Sequence, residues 1–271
     1  MMAKNYSLTD LRYLMARLRD PETGCPWDIK QSYSTIASHT VEEVYEVVDA
    51  IERNNLSDLS EELGDLLFQI VFYCQLAEEQ DEFDFDTVIN HITSKLVRRH
   101  PHVFPEGTLE STRASSSIDE QQIKKNWEAI KQEERQDKGN TGILDDVPMA
   151  LPAQLRATKL QKRAANYNFD WPNTKGVIDK VKEELAELQQ EVDSGDKAHQ
   201  EEELGDLMFA CVNLARHLSI DPERALAKTN NKFKRRFESM DAELDLKNNQ
   251  SLDTDSLEQA WNNAKKAEKN S

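Results

Sequence analysis

The sequence predicts an all-α protein that consists of two tandem homologous helical-bundle domains. Only 8 of its 271 residues are glycine and 8 are proline, too few for the frequent tight turns of an all-β sandwich or barrel. Charged residues make up 31% of the chain and aromatic residues 7%, as is typical of helices with charged surfaces. The hexapeptide Glu-Glu-Leu-Gly-Asp-Leu also occurs twice, at residues 61–66 and 202–207, which indicates an internal duplication.

Apolar residues at helical spacing predict three helices at the start of the chain. The first begins after Ser7, because Asp10 follows three residues later and can form a capping box with it. A second helix is expected over about residues 38–53, and a third starts near residue 57. The apolar stripe of the second helix consists of Val41, Val44, Val48 and Ile51.

Two further helices complete the first half of the chain. The fourth helix starts near Asp84 and ends around His100, because Pro101 follows it and a residue before proline avoids the helical conformation. Residues 102–117 are loop-like, and a fifth helix covers about residues 119–136.

The two halves share acidic, basic and aromatic residues. Glu43 and Glu46 correspond to Glu184 and Glu187 at an offset of 141 residues, which is also the offset of the repeated hexapeptide. At slightly smaller offsets, as expected after a few loop deletions, the repeated residues are Lys95, Arg99, Trp127 and Lys131 with Lys232, Arg236, Trp261 and Lys265. The predicted domains are residues 1–137 and 153–271, joined by a turn-rich linker over 138–152.

Paired carboxylates on two helices predict a metal site in each half. Glu184 and Glu187 are three residues apart and therefore share a helix face, as do Glu203 and Asp206 on the next helix. The turn formers between them let the two helices run antiparallel, so that four carboxylates converge. Such an all-oxygen set suits Mg²⁺ or Mn²⁺. The corresponding set in the first half is Glu43, Glu46, Glu62 and Asp65.

Two other interpretations of these carboxylates are weaker. An isolated acidic pair at this spacing is usually a solvated helix face, but the duplication of the whole set favours a site. A di-iron bundle needs a histidine three residues after a glutamate on two helices, and none of the six histidines has that position.

The basic and aromatic repeats indicate a ligand that carries phosphate. Lys232 and Arg236 are four residues apart on one helix face, as are Trp261 and Lys265. A phosphate chain needs cations beside the metal, and a base needs an aromatic or apolar platform. The net charge of −17 excludes a general nucleic-acid binder, whose affinity comes from neutralising phosphates. Together these features describe a nucleoside polyphosphate site.

The motifs resemble those of a known family. The pattern EExxE followed by ELGD, with K-x3-R and W-x3-K downstream, is similar to the MazG nucleoside triphosphate pyrophosphohydrolases of an all-α superfamily. Residues 24–28, 40–47 and 98–104 also resemble the bacterial two-domain members. The resemblance implies Mg²⁺-dependent hydrolysis of NTPs and dNTPs to NMP and pyrophosphate, by attack of water on the α-phosphorus. It also implies a homodimer.

The resemblance further implies roles for individual residues. The catalytic metal ligands of the C-terminal half would be Glu184, Glu187, Glu203 and Asp206. Its substrate-binding residues would be Lys180, Glu183, Glu202, Lys232, Arg235, Arg236, Trp261 and Lys265. A second, weaker site in the N-terminal half would consist of Glu43, Glu46, Glu62, Asp65, Lys95, Arg99 and Trp127.

We expect the C-terminal site to be the main catalyst. The position of Lys180 is taken in the first half by His39, and an unperturbed histidine is mostly neutral at pH 7 whereas lysine is a full cation. Losing that cation beside a triphosphate weakens both binding and stabilisation of the transition state.

Other features of the sequence indicate where the protein works, and two alternative functions remain open. Three scattered cysteines suit a reducing compartment, and the most apolar stretch, residues 66–77, is too short to span a membrane. A cytoplasmic protein that binds neither nucleic acid nor membrane is therefore expected. Two functions from other classes stay open: a nucleotide sensor that does not hydrolyse its ligand, and a helical scaffold that binds a partner protein.

Overall fold

The computed structural model describes residues 5–112, 120–137, 142–248 and 253–269, and its regular elements in these ranges are all helical. The all-α prediction is therefore confirmed. The described residues fall into two compact units, divided between Lys131 and Gln132. None of the described helices is long and apolar enough to cross a membrane. Residues 113–117 of the predicted loop and 138–141 of the predicted linker lie outside the described residues.

The first unit is built on four helices, and the boundary between the two units lies within a fifth helix. Their bounds are α1 Leu8–Leu18, α2 Tyr33–Glu52, α3 Leu56–Glu78, α4 Phe85–Arg99 and α5 Glu120–Asp137. The helix α3 packs against α2, α1 and α4. The buried core between these helices consists of Met15, Ile36, Val71, Phe72, Cys74, Leu76 and Phe85.

Local capping explains where the first helices begin. The predicted capping box of α1 is confirmed, because the Ser7 side chain accepts from the Asp10 amide while the Asp10 carboxylate accepts from the Ser7 amide. The helix α2 begins five residues earlier than predicted, because Ser32 and Thr35 form a second capping box. The fourth helix ends at Arg99, two residues before Pro101, as predicted.

The predicted apolar stripe of α2 does not face the core of the chain. Its side chains are between 44 and 56% exposed: Val41, Val44, Val48 and Ile51. The helix instead packs on α3 through the face that carries the buried Ile36 and Ala50, and the Thr40 and Tyr73 hydroxyls lie 2.8 Å apart on that side. The α2 sequence is apolar on more than one face, so the hydrophobic spacing alone did not identify the packed one.

The second unit is built around an antiparallel helix pair. Its helices are α6 Ala153–Ala165, α7 Thr174–Ser194, α8 Lys197–His217, α9 Pro222–Leu244 and α10 Thr254–Lys269. The pair α7 and α8 is joined by the predicted turn, where Gly195 has φ +80° and Asp196 caps α8. The left-handed conformation at the end of α7 is one that glycine adopts without strain. The helix α6 packs on α8, and α9 pairs with α10.

Part of the predicted linker packs on the second unit. Arg163 of α6 donates from both terminal nitrogens to the Asp146 carboxylate, at 2.6 and 2.8 Å, and also to the Ile143 carbonyl. Val147 of the same segment is buried. The domain boundaries given from the sequence stay a prediction, but residues 142–152 have contacts that a free linker would lack.

Candidate metal and nucleotide site

The helices α7 and α8 bring three carboxylates of the second unit together. Glu184, Glu187 and Glu203 each offer an oxygen, and these oxygens lie within 4.8 Å of one another. Glu184 is only 5% exposed. The antiparallel turn at Gly195 places the middle of α8 beside the middle of α7, which is why residues 16 or more positions apart in sequence meet here.

The first unit has a matching cluster between α2 and α3. Glu43, Glu62 and Asp65 offer oxygens within the same 4.8 Å limit. The two clusters differ in their third member, since the first contains Asp65 and the second contains Glu187. The remaining predicted residues lie close by, since Glu46 is near enough to Glu62, and Asp206 near enough to Glu203, to raise the pKa of that neighbour. Each predicted set of four is therefore a group of three with a neighbour.

The carboxylates destabilise one another's charged forms. Burial, followed by the charges of Glu187, Glu184 and Asp206, raises the pKa of Glu203. Burial and the charge of Glu184 likewise raise the pKa of Glu187. In the first unit, the pKa values of Glu43 and Glu62 are raised by burial and by their acidic neighbours. A hard divalent cation prefers such an all-oxygen donor set and would relieve this repulsion, so the residues present fit a metal.

A lysine lies against the buried carboxylate of the second unit. The Lys180 ammonium is 2.7 Å from Glu184 and 2.8 Å from Glu183, and hydrogen bonds to these two carboxylates raise its pKa. The corresponding His39 behaves differently: its Nδ1 lies 3.6 Å from Glu42, and its ring is 6.2 Å from that of Trp27. The two clusters therefore differ in the cation beside them.

Two of the predicted phosphate-binding cations of α9 form ion pairs with an acidic residue of α10. Arg235 and Arg236 each donate to the Glu268 carboxylate at 2.6 Å, and the Trp261 ring is 5.4 Å from that of Phe233. Among the described residues, no hydrogen bond or ion pair joins these side chains to the α7–α8 carboxylates. Of the remaining predicted substrate residues, Glu202 is exposed on α8, Lys232 is half-buried on α9, and Lys265 is half-buried on α10.

The first unit repeats the packing of a tryptophan beside the basic helix. The Trp127 ring lies 5.6 Å from that of His100, the residue that follows α4, and the Lys131 ammonium is 4.9 Å from the centre of the Trp127 ring. Lys95 and Arg99 are half-buried on α4. The two tryptophans therefore differ in their contacts, since Trp127 lies against the residue that follows α4 whereas Trp261 lies against Phe233 of α9.

The sequence analysis did not identify Glu268, which forms ion pairs with both arginines of α9. Glu268 holds Arg235 and Arg236 at once, and hydrogen bonds from both lower its pKa. It lies seven residues after Trp261 and so on the same face of α10. That spacing was the available signal.

A cavity of about 810 Å³ opens beside the carboxylates of the second unit. Lys180, Glu184 and Asp206 lie at its wall. The rest of the lining includes residues that sequence reasoning missed: Gln161, Phe169, Asp170, Trp171, Asn213 and Arg216. A weak signal was present, since an adjacent tryptophan and aspartate precede the first acidic helix in each half, at residues 27–28 and 170–171.

The segment that carries Trp171 is held by charge and by close packing. Asp170 accepts hydrogen bonds from Arg216 and His217, at 2.5 and 2.8 Å. Burial opposes ionisation of this carboxyl, but these two bonds prevail and lower its pKa to about 2. On the other side, a Cβ at Gly176 would lie 2.8 Å from Trp171 Cε3, so the glycine lets the indole approach α7.

Comparisons with known proteins agree with the duplicated pattern. The family profile described as the MazG nucleotide pyrophosphohydrolase domain matches residues 31–104 and 173–240. The chain is 47% identical to a nucleoside triphosphate pyrophosphohydrolase of Escherichia coli (strain K12), over 94% of this chain and 95% of that protein. It is 39% identical to the Thermotoga maritima protein named nucleoside triphosphate pyrophosphohydrolase/pyrophosphatase MazG, over 94% of each chain. A Mycobacterium tuberculosis nucleoside triphosphate pyrophosphohydrolase is 34% identical over 58% of this chain and 44% of its own.

Proposed function

The chain belongs to the MazG nucleotide pyrophosphohydrolase family and is a nucleoside triphosphate pyrophosphohydrolase, and we propose that it depends on Mg²⁺ and cleaves between the α- and β-phosphates. The products are then a nucleoside monophosphate and pyrophosphate. Mn²⁺ would substitute for Mg²⁺, because both ions prefer oxygen ligands.

The carboxylate cluster of the second unit carries this proposal. Glu184, Glu187 and Glu203 offer oxygens within 4.8 Å of one another, and Asp206 lines the same cavity as Glu184. In this proposal, these four residues hold the metal. When bound, Mg²⁺ neutralises charge on the phosphate oxygens and lowers the pKa of water.

The side chains around the cluster then bind and orient the triphosphate. Lys180 lies against Glu184, so its ammonium is placed to contact phosphate oxygens entering the site. Lys232, Arg235 and Arg236 supply further cations, and the two arginines would exchange Glu268 for phosphate when substrate binds. One of the cluster carboxylates takes the proton of the attacking water. Trp261 and Lys265 border the nucleotide, with Glu183 and Glu202 at the edge of the site.

The first unit is proposed to hold a second, weaker site. Glu43, Glu62 and Asp65 offer the same kind of oxygen cluster, with Glu46 adjacent. Lys95, Arg99 and Trp127 occupy the positions that match the C-terminal cations and tryptophan. The cation that corresponds to Lys180 is replaced by His39, whose ring lies near Trp27. We propose residues 1–137 and 153–271 as the two domains.

A homodimer is part of the same proposal. The valine and isoleucine stripe of α2 is about half exposed, and on the second unit Leu185, Leu204 and Met208 are similarly exposed along α7 and α8. Association of two copies would remove these apolar side chains from water. Light scattering behind a sizing column gives the mass in solution, and a monomer over a wide concentration range would contradict this part.

Analysis of the reaction products tests the function. The wild-type chain is incubated with each NTP with and without Mg²⁺, and products are separated by anion exchange. Equimolar NMP and pyrophosphate are expected with Mg²⁺, and no turnover is expected after chelation. Release of NDP and phosphate would contradict the assigned bond. Nucleotide binding without any product would favour the sensor, and absence of binding would favour the scaffold.

A further inference from the structure

We propose that the cavity beside the C-terminal carboxylates holds the nucleobase of the substrate, and that Gln161 Oε1 accepts a hydrogen bond from an N–H on the edge of that base. This inference rests on the proposed function, because it assigns the part of the site that the phosphate chemistry leaves unspecified. It names a residue that contacts the base edge.

The amide of Gln161 is fixed in one orientation. Its Nε2 donates to the Phe209 carbonyl of α8 at 2.9 Å. Because a carbonyl only accepts, the nitrogen must be the atom on that side, and the oxygen must be on the other. The residue is 7% exposed and lines the cavity. Its rotamer is therefore set by packing before any ligand enters.

The oxygen of this amide is a buried acceptor without a partner. Gln161 Oε1 has no hydrogen bond to any residue that the structure describes. Buried polar atoms in folded proteins are almost always paired with protein or with another group. Because Gln161 lines the cavity, we infer that a donor on a ligand in the cavity is the missing partner.

Asn213 places a donor on the same cavity wall. Its Oδ1 accepts from both Nε and Nη2 of Arg216, at 3.1 and 2.7 Å. Because both Arg216 nitrogens are donors, the Asn213 atom that faces them must be the oxygen, and the amide nitrogen of Asn213 points away from Arg216. No hydrogen bond from Asn213 Nδ2 is made to the described part of the chain. An acceptor and a donor on one wall match the adjacent N–H and acceptor found on the pairing edge of each common base.

The other walls suit the faces of a base. Phe169, Trp171 and Phe209 line the cavity, and aromatic rings stack on bases of any sequence. The volume of about 810 Å³ lies within the roughly 300–1,000 Å³ that is typical of small-molecule sites. Lys180, Glu184 and Asp206 lie at the wall of the same cavity, so a nucleotide whose base enters here keeps its phosphates beside the proposed metal ligands.

The first test compares ATP with purine riboside 5′-triphosphate, which lacks the exocyclic amino group. The wild type should favour ATP by about tenfold in kcat/KM, as one hydrogen bond predicts. In Gln161→Met, the preference should disappear, because only the ATP value falls. The control Gln154→Met makes the same change on α6 away from the cavity and should keep the tenfold preference. A wild type without preference, or a Gln161→Met variant that retains it, would overturn the inference.

The second test needs no turnover and does not depend on the Gln161 variant folding. Trp127 and Trp261 are also proposed to border bound nucleotide, so both are first replaced by phenylalanine. Tryptophan fluorescence of this variant is then followed on addition of α,β-methylene-ATP or of inorganic tripolyphosphate, each with Mg²⁺. Only the nucleotide should quench it, and the quenching should be lost in Trp171→Phe. Equal responses to both ligands, or none, would place the base elsewhere. Quenching by the nucleotide in a protein that hydrolyses no NTP would instead contradict the proposed function and leave the base site standing.

Discussion

Lys180 lies inside an acidic cluster, and this contact decides how the site behaves before substrate arrives. Its ammonium is 2.7 Å from the buried Glu184 carboxylate, and it offsets part of the cost of removing that charge from water. A divalent cation bound to the cluster would take over this role. We therefore expect metal binding to release Lys180 from Glu184 and make it available to phosphate. The order of binding would then be metal first and triphosphate second.

Replacing Glu203 with glutamine tests the cluster at the level of one charge. Because its neighbours raise the pKa of Glu203, removing the charge should leave the metal-free protein equally or more stable. Mg²⁺ should raise the Tm of the wild type by linkage, and this rise should be largely lost in the variant. We expect kcat/KM to fall by about a hundredfold or more, equivalent to about 2.7 kcal/mol.

A matched control is available two residues earlier on the same helix. Glu201 is exposed on α8 outside the cluster, so Glu201→Gln removes the same charge from the same helix. It should keep the Mg²⁺-induced rise in Tm and the wild-type turnover. If Glu203→Gln also keeps wild-type turnover, Glu203 is not a ligand.

Asp170 gives a pH-dependent contribution to stability. Hydrogen bonds from Arg216 and His217 overcome the effect of burial and hold the pKa of Asp170 at about 2. Because the folded pKa lies below the usual value near 3.8, the stabilisation is fully present above about pH 4 and is lost as the pH falls towards 2. Asp170→Asn should cost roughly 1 kcal/mol above pH 4, after allowance for solvent screening.

Denaturant unfolding at several pH values measures this effect. The free-energy difference between wild type and Asp170→Asn should shrink steadily between pH 4 and pH 2. Asp179→Asn serves as the control, because Asp179 lies on the exposed side of α7 in an ion pair of 3.3 Å with Lys182. A constant difference for Asp170→Asn over this range would show that the carboxylate is not stabilised by its partners.

At the scale of elements, the α7–α8 pair is the unit that makes the site. The two helices contribute all three clustered carboxylates and the lysine beside them. Their antiparallel arrangement depends on the turn at Gly195, where φ is +80°. The helix α6 adds Gln161 from its packing on α8, and the segment before α7 adds Trp171. The clustered carboxylates, Lys180 and Gln161 are therefore placed by contacts within or with this pair, whereas Arg235 and Arg236 are held between α9 and α10.

Gly195→Ala tests the turn. Nothing lies within 4 Å of the Cβ that alanine would add, so the cost comes from the left-handed backbone alone. We expect a loss of about 1 kcal/mol in the free energy of unfolding. Gly195→Asn should lose less, because asparagine tolerates this conformation. Equal losses in the two variants, measured by denaturant unfolding, would show that the backbone conformation is not the cause.

At the scale of the whole molecule, two units carry two similar clusters with different surroundings. Both hold three carboxylates with oxygens within 4.8 Å of one another. The second unit has Lys180 against Glu184 and a cavity of about 810 Å³ beside its carboxylates. In the first unit, the corresponding His39 lies next to Glu42 and Trp27. A duplicated scaffold has thus diverged in the residues around the repeated acids.

We expect the two halves to contribute unequally to hydrolysis. Glu184→Gln or Asp206→Asn should remove most of the turnover, about a hundredfold or more, because the stronger site is lost. Glu43→Gln or Asp65→Asn should reduce it by less than about threefold. Turnover of the four variants on a panel of NTPs provides the comparison. Equal losses from both halves would show that the exchange of Lys180 for His39 has no functional weight.

The sequence by itself determined the fold class, the duplication and the pairing of carboxylates. These features depend on local rules: apolar spacing, capping at Ser7 and Asp84, a glycine at the end of α7, and acidic residues three apart on one face. Such rules act within a few residues of the chain, so they can be read without the fold. The starts of α1 and α4 were accordingly close to those observed, whereas the cap at Ser32 was missed and α2 begins five residues earlier than predicted.

Only the tertiary structure decided which faces pack and which polar groups meet across helices. The α2 stripe is exposed because α3 packs on another face of the same helix. Arg235 and Arg236 share Glu268 across two helices, and Gln161 has a fixed amide because it reaches Phe209. Burial and hydrogen bonding between residues distant in sequence depend on where whole helices lie. No spacing along the chain specifies that placement, and the side chains around the cavity could be recognised only once the helices were in place.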